Sequence, residues 1–185
     1  MKKIKPIRSA KLAVSPGPLS TIYSFDEKCN KMGTIEIIDF SDDLKEYFKK
    51  LNIEWLEKYF AVLQSDEFIL TNPVESIIEK GGYINFAKVD NEIVGTFAMI
   101  KIDEYTYEIA KMAVTEKYQN LGIGKKLMEY VIKKAKDMRI DRVILYSNTD
   151  LKIAVSMYSK FGFQVIPKTD FHNERANIKM EMILK

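Results

Sequence analysis

The segment Gln119-Asn120-Leu121-Gly122-Ile123-Gly124-Lys125 constrains this chain more than any other stretch of it. Upstream, residues 105–114 form a β-prone run; downstream, Leu127, Val131, Ile132 and Ala135 recur at helical spacing and define an amphipathic helix. Two glycines one residue apart, at a junction between strand and helix, allow a sharp turn and keep side chains away from the helix start. The N–H groups of the first helical turn then point into one concavity, which is an anion site by construction. A pair of glycines at such a junction also occurs where packing alone requires it, so its meaning depends on the surrounding chain.

That surrounding pattern is readable from Thr34 onward. Residues 34–40 read as a short strand. Ser41, with Asp42 and Asp43, supplies an N-cap and negative charge for a helix whose apolar face is Leu44, Phe48, Leu51, Trp55 and Tyr59, running to about Phe60. Asn72-Pro73 is expected to cap and open a short helix ending at Gly81-Gly82. Residues 83–89 and 92–102 flank Asp90-Asn91 as a tight hairpin, and residues 105–114 add a third run to the meander. After the glycine turn and its helix, the pattern predicts a strand at 142–147, a helix at 153–161, and a final hairpin from 163–166 and 177–184. The expected architecture is a mixed α/β domain with a largely antiparallel central sheet and helices on both faces.

Composition narrows the function classes. A chain of 185 residues with 46% hydrophobic side chains buries one substantial core and is too short for two ordinary domains. The net charge of +3 is uneven: residues 1–33 hold seven Lys/Arg against two acids, leaving 22 basic and 24 acidic residues beyond. A weakly acidic globular part has no electrostatic footprint for nucleic acid; only the basic extension could supply one. That extension holds three of the five prolines, lacks apolar periodicity and is expected to be poorly ordered. It reads equally as a genuine basic arm or as sequence upstream of a true start at Met32. Cys29 is the single cysteine, so no intrachain disulfide or Cys-rich zinc site is expected, and a cytoplasmic location fits best. No apolar run approaches the roughly 18 residues of a membrane span, and no signal-peptide core follows the basic start.

Gln119-x-x-Gly122-x-Gly124 resembles the Gln/Arg-x-x-Gly-x-Gly/Ala signature of the GNAT acetyltransferases, in the strand-turn-helix setting that family uses. Downstream, Ala154-Val155-Ser156-Met157-Tyr158-Ser159-Lys160-Phe161-Gly162-Phe163 looks like the same family's Ala-x-x-x-Tyr-x-x-x-Gly-Phe helix and following strand. The resemblance covers residues 34–185, and its specific part lies between Glu108 and Phe163. It implies the GNAT acyl-CoA N-acyltransferase fold and transfer of an acetyl group from acetyl-CoA to an amine by direct attack in a ternary complex, with no metal. It further implies a pyrophosphate held in the turn Gln119, Asn120, Leu121, Gly122, Ile123, Gly124 and Lys125, and a pantetheine arm lying like an added strand along Met112, Ala113 and Val114. A backbone N–H near Ala113 or Val114 could polarise the thioester carbonyl.

Two residues carry the expected chemistry. Tyr158 matches the family tyrosine near the coenzyme sulfur, as general acid to the departing thiolate, with an ordinary core aromatic as the alternative. Glu108 is similar to the strand glutamate that takes a proton from the amine in some members; strand alternation puts it on one face with Ala110, Met112 and Val114, and the alternative is a solvent-facing strand-end acid. Many members carry Asn seven residues before the tyrosine, where this chain has Leu151. Asn148, ten before it, could reach the cofactor arm across a longer loop, with helix capping by Asn148, Thr149 or Asp150 as the alternative. His172 lies in a polar loop that could face the acceptor. Lys125 and Lys126 could assist the phosphate turn, whereas Lys133 and Lys134 read as a solvated face. Trp55 and Tyr59 either wall the acceptor pocket or pack the core. The acceptor class, as small-molecule or peptide amine, and homodimer formation are left open, as are a non-catalytic acyl-CoA-binding module and nucleic-acid binding by the basic tail.

Overall fold

The computed structural model describes residues 33–167 and 175–185. The extension expected over residues 1–33 therefore lies, but for Gly33, outside the described residues, as does His172. Four strands open the domain: β1 (Ile35–Asp39), β2 (Tyr83–Val89), β3 (Glu92–Lys101) and β4 (Thr106–Val114), each antiparallel to the next. Between β1 and β2 run two helices, α1 (Lys45–Tyr59) and α2 (Gln64–Thr71), and a π-type turn at Val74–Ile78. After β4 come α3 (Ile123–Asp137), β5 (Arg142–Ser147), α4 (Lys152–Lys160), β6 (Gln164–Ile166) and β7 (Ile178–Ile183). The seven strands form one sheet in the order β1-β2-β3-β4-β5-β7-β6, in which only the β4–β5 contact is parallel. The expected final hairpin pairs as read, but β7 also pairs with β5 and so sits between β5 and β6.

The β2–β3 turn forms as its residues require. Asp90 (φ 48°) and Asn91 (φ 69°) are both left-handed, the backbone demanded by a tight two-residue hairpin and tolerated best by Asp and Asn after glycine.

The two faces of the sheet carry different helices. On one face Ile84, Phe86 and Ala98 pack with Phe48 and Leu56 of α1, Leu70 of α2 and Ile77. On the other, α3 buries Ile123, Leu127, Met128, Val131 and Ala135, a stripe at helical spacing. Fully burying a side chain such as Leu127 or Val131 contributes about 1.5–3 kcal/mol. Gly95 lets this helix approach closely, since a β-carbon there would lie 3.3 Å from both Ile123 and Leu127 and 3.2 Å from the Ala113 carbonyl oxygen.

Three local readings differ from expectation, one of them only in part. Ser41 makes no side-chain cap; its carbonyl accepts the Leu44 N–H at 2.9 Å in a 3₁₀ turn over Asp42–Leu44, which moves the first α-helical turn out of hydroxyl reach. Asn72 closes α2 as well as opening the next turn: its backbone and side-chain N–H groups both donate to the Phe68 carbonyl, at 2.9 and 3.1 Å, while its own carbonyl accepts the Ser76 N–H at 2.9 Å. Helix α2 itself was not read from the sequence. Only Asp66 and Leu70 of its eight residues are buried and Phe68 is 53% exposed, so there is no apolar stripe to see.

Candidate active site

Strand β4 is interrupted where the site begins. Ala110 pairs with Ala98 and Ala113 with Thr96, so three residues of β4 advance against two of β3, and Lys111 takes a left-handed backbone (φ 52°). This β-bulge reverses the side-chain parity. Glu108 and Ala110 therefore share a face with Ala113, not with Met112 and Val114 as strict alternation predicted. The parallel pairing of β4 with β5 also stops at Ile109–Leu145, while on its other edge β5 pairs with β7 from Arg142 through Ser147. The edge of β4 from Ala110 to Val114 is left without a β5 partner, and the strand-edge residues expected from the resemblance, Met112, Ala113 and Val114, all lie on it.

The chain leaving this edge is tied down before it reaches the glycine turn. The Thr115 hydroxyl donates to the Glu54 carboxylate at 2.8 Å, the Glu116 N–H donates to it at 2.9 Å, and the Thr115 N–H donates to the Val94 carbonyl. The Gln119 side-chain amide donates to the Val114 carbonyl at 2.9 Å, bracing the turn from within. Asn120 (φ 62°) and Gly122 (φ 83°) are both left-handed around Leu121. The first helical bond is Lys126 N–H to the Gly122 carbonyl, so the N–H groups of Ile123, Gly124 and Lys125 precede the ladder and face the helix N-terminus. The space over the glycines is open: a β-carbon at Gly122 would meet nothing within 4 Å, and one at Gly124 only the Met157 Sδ at 3.7 Å. Residues 119–125 thus form a braced concavity of the kind an anion fills. Lys125 and Lys126 flank it, each 3.7 Å from Glu129.

A cavity of about 730 Å³ opens beside the unpaired β4 edge. Glu108 and Met112 line it from β4, Tyr158 and Ala154 from α4, and Trp55 and Phe60 from α1 and its end. Burial pushes the Tyr158 phenol up to about 12, so it holds its proton throughout the neutral range. Its ring packs 6.2 Å from Phe163, so the motif tyrosine is at once a packed aromatic and a cavity group. Trp55 and Tyr59 part company: Trp55 reaches the cavity while stacking near Phe60, with ring centroids 5.5 Å apart, whereas Tyr59 is 44% exposed and does not line it.

The cavity also holds a cluster that sequence reasoning missed. Asp66, 2% exposed, accepts from Lys111 Nζ and from Arg175 Nη2, both at 2.8 Å, with a second ion-pair contact to Arg175 at 2.7 Å, while the Leu63 N–H reaches its Oδ2 at 3.2 Å. Although desolvation opposes ionisation, these donors hold the Asp66 carboxyl well below the usual carboxylate range. Arg175 also donates to the Ala61 carbonyl and lies over the Phe60 ring. An acid at the third position of a helix was a signal for Leu63 capping by Asp66, but its cationic partners are 45 and 109 residues away.

Asn148 lines the same cavity, with its side chain committed to the loop: Nδ2 donates to the Arg175 carbonyl at 2.8 Å and Oδ1 accepts the Asp150 N–H at 2.9 Å. It does not cap α4, whose N-cap residue is Leu151. Lys133 pairs with Asp137 on the solvated side of α3 as expected, but Lys134 does not: its side chain is only 18% exposed, lying over the Tyr83 and Tyr130 rings and reaching Asp39.

Comparison with known proteins decides the family. The model of the acetyltransferase (GNAT) family matches residues 38–163, from the end of β1 through both sequence motifs. The chain belongs to the GNAT acetyltransferase family. Among its relatives, the uncharacterized N-acetyltransferase YvbK of Bacillus subtilis is 30% identical over 120 residues, spanning 63% of this chain and 77% of that protein. The structure of a GNAT-family acetyltransferase from Staphylococcus aureus superposes with a TM-score of 0.74 at 28% identity, covering 82% of this chain and all of the other. A GNAT-family acetyltransferase from Elizabethkingia anophelis, solved with acetyl-CoA bound, shares the fold at a TM-score of 0.57 and 24% identity, over 81% of this chain and 98% of that one. As in the family at large, the GNAT sheet here is mostly antiparallel and flanked by helices. Among the described residues no helix is long and apolar enough to cross a membrane, and no group of three or more His, Cys, Asp or Glu is placed to hold a metal ion.

Proposed function

We propose that this GNAT acetyltransferase, through a domain spanning residues 34–185, transfers the acetyl group of acetyl-CoA directly to the nitrogen of an amine within a ternary complex. The observation that carries the reading is the gap between β4 and β5: an unpaired strand edge runs from the braced glycine turn to a cavity lined by Glu108 of β4 and Tyr158 of α4. Pantetheine carries amides able to complete such an edge, and the N-terminus of α3 suits a pyrophosphate.

In this reading the amine lone pair attacks the thioester carbonyl carbon as the C–N bond forms. The negative charge on the carbonyl oxygen is met by a backbone N–H near Ala113 or Val114. The C–S bond then breaks, the sulfur is met by the Tyr158 phenol, and the surplus amine proton passes to Glu108, directly or through water. With the phenol near 12 and a free thiol near about 8.5, full proton transfer from Tyr158 is uphill, so its larger part is to hydrogen-bond the developing thiolate.

The test is a Gly124→Val variant titrated calorimetrically with coenzyme A. Only the flexible Met157 tip lies within 4 Å of the new β-carbon, so the fold should survive. Losing even one charge-assisted hydrogen bond of about 1.5–3 kcal/mol to the pyrophosphate should weaken binding roughly ten- to a hundred-fold. Unchanged affinity in a folded variant would remove the glycine turn from the site.

A further inference from the structure

Resting on the reading above, we propose that the acceptor is a small amphipathic amino carboxylate, whose amine meets Glu108, whose apolar side chain fills the wall of the cavity, and whose carboxylate is read by Lys111 and Arg175. The wall beyond Glu108 is apolar, built from Trp55, Phe60, Ile69, Ile100 and Ile102. Four ionisable side chains other than the phenols interrupt it: Glu108, Asp66, Lys111 and Arg175.

Asp66 is spoken for. Its Oδ1 accepts from Lys111 and Arg175, and its Oδ2 accepts the Leu63 N–H and lies 2.7 Å from the Arg175 guanidinium as an ion pair. Two cations therefore share one saturated carboxylate, leaving a surplus of one positive charge in the cluster among the described residues. Both cations are largely buried, with side chains 17% and 23% exposed, and both line the cavity. A cation with little water around it in an apolar wall favours an anion and disfavours a second ammonium.

The backbone gives an independent indication. Lys111 holds the bulge with a left-handed φ of 52°, a conformation glycine adopts at no steric cost. With Lys111 at this position, the bulge carries its ammonium to Asp66 and to the cavity wall, a placement that strict strand alternation from Glu108 does not give. Glu108 and Lys111 lie three residues apart on β4, roughly 10 Å between backbones at about 3.3 Å per residue. An amine and a carboxylate on one small molecule fall within that reach. Polyamines and basic peptides would instead bring further ammonium groups against Lys111 and Arg175.

Matched acceptors test the proposal: L-phenylalanine and L-leucine against their C-terminal amides, with spermidine as a polycation, each assayed for thiol release from acetyl-CoA. The wild-type kcat/KM should favour each acid over its amide by about ten- to a hundred-fold, mostly through KM, as expected for one charge-assisted contact. Lys111→Met should bring that ratio toward one and Lys111→Arg should restore it. Lys111→Gly, which relaxes the backbone while removing the ammonium, should lose the preference as the Met variant does, with a smaller loss of thermal stability than the Met variant because only the ion pair to Asp66 is lost and not the backbone fit. In a second arm, the enzyme loaded with coenzyme A is titrated with 3-phenylpropionate, which has no amine; binding should be detectable and lost in Lys111→Met. Preference for the amides or spermidine, an acid-to-amide ratio that ignores Lys111, or no 3-phenylpropionate binding by the loaded enzyme would overturn the acceptor assignment. Failure to bind coenzyme A at all would instead strike at the transferase reading beneath it.

Discussion

Replacing Asp66 by Asn is the sharpest perturbation of stability available here, because it removes one charge at nearly constant volume. The carboxylate is 2% exposed and takes three hydrogen bonds, two of them from Lys111 and Arg175, with a further Arg175 ion-pair contact at 2.7 Å. An amide in its place offers one acceptor atom and turns an N–H₂ toward two cations, which then repel each other across the cavity floor. Removing one partner of a buried ion pair costs about 3–5 kcal/mol, and the partial exposure of both cations argues for the low end, about 3. For a domain of this size each kcal/mol moves Tm by about 2–4 °C, so the variant should melt roughly 6–12 °C below wild type. The pH dependence has a definite sign. The folded Asp66 carboxyl titrates below its unfolded value, so its stabilisation is complete above the unfolded value near about 3.9 and is lost as pH falls through the folded one. Differential scanning calorimetry should therefore find a constant gap between the two proteins from pH 5 to 8 (about the range in which both states keep the carboxylate ionised), narrowing in acid. A gap of under a degree at neutral pH, or one that does not shrink in acid, would refute the view that Asp66 locks α2, the β4 bulge and the segment entering β7 together through its charge.

Tyr158→Phe keeps the ring against Phe163 and removes the proton. The turnover rate should fall by about 10²-fold, the lower end for a general acid, with coenzyme A affinity unchanged, and a normal chemical step would reduce Tyr158 to packing. Because burial raises the phenol to about 12, its stabilising proton is fully held below the unfolded value near about 10 and is lost as pH rises toward 12, so Phe should also blunt alkaline unfolding. Glu108→Gln preserves shape and abolishes basicity. The ratio of wild-type to variant kcat/KM should be largest near neutral pH, where an alkylamine is mostly protonated, and should shrink in alkali; coincident profiles would assign the proton to water or to another group.

Much of the fold was legible residue by residue because local physics decided it. Asp90-Asn91 announced a two-residue hairpin, the Leu127, Val131 and Ala135 stripe announced α3, and Gly122 with Gly124 announced the turn that leads from β4 into that helix. These signals lie within one or two turns of chain, where spacing and backbone preference act directly. Helix α2 was illegible for the complementary reason that its burial is slight and its anchor is a salt bridge rather than an apolar stripe. Asn148 could be found but not interpreted, since its partner is the Arg175 carbonyl from a distant segment.

The sequence alone determined that the chain folds as an α/β domain with a glycine turn opening a helix and a motif tyrosine on a later one, and that the family resemblance is concentrated between Glu108 and Phe163. Only the tertiary structure decided which face Glu108 shares and with whom. A bulge is one extra residue in a pairing register, invisible until β3 lies alongside, and it moved Ala113 to the side where alternation had put Val114. The same bulge aims Lys111 at Asp66 and thence at Arg175, a contact set by chain segments 45 and 109 residues apart. Electrostatic partners at that separation leave no periodic trace in a sequence, because their energy depends on distance in space and on the water excluded between them, and neither exists until the sheet has closed around the cavity.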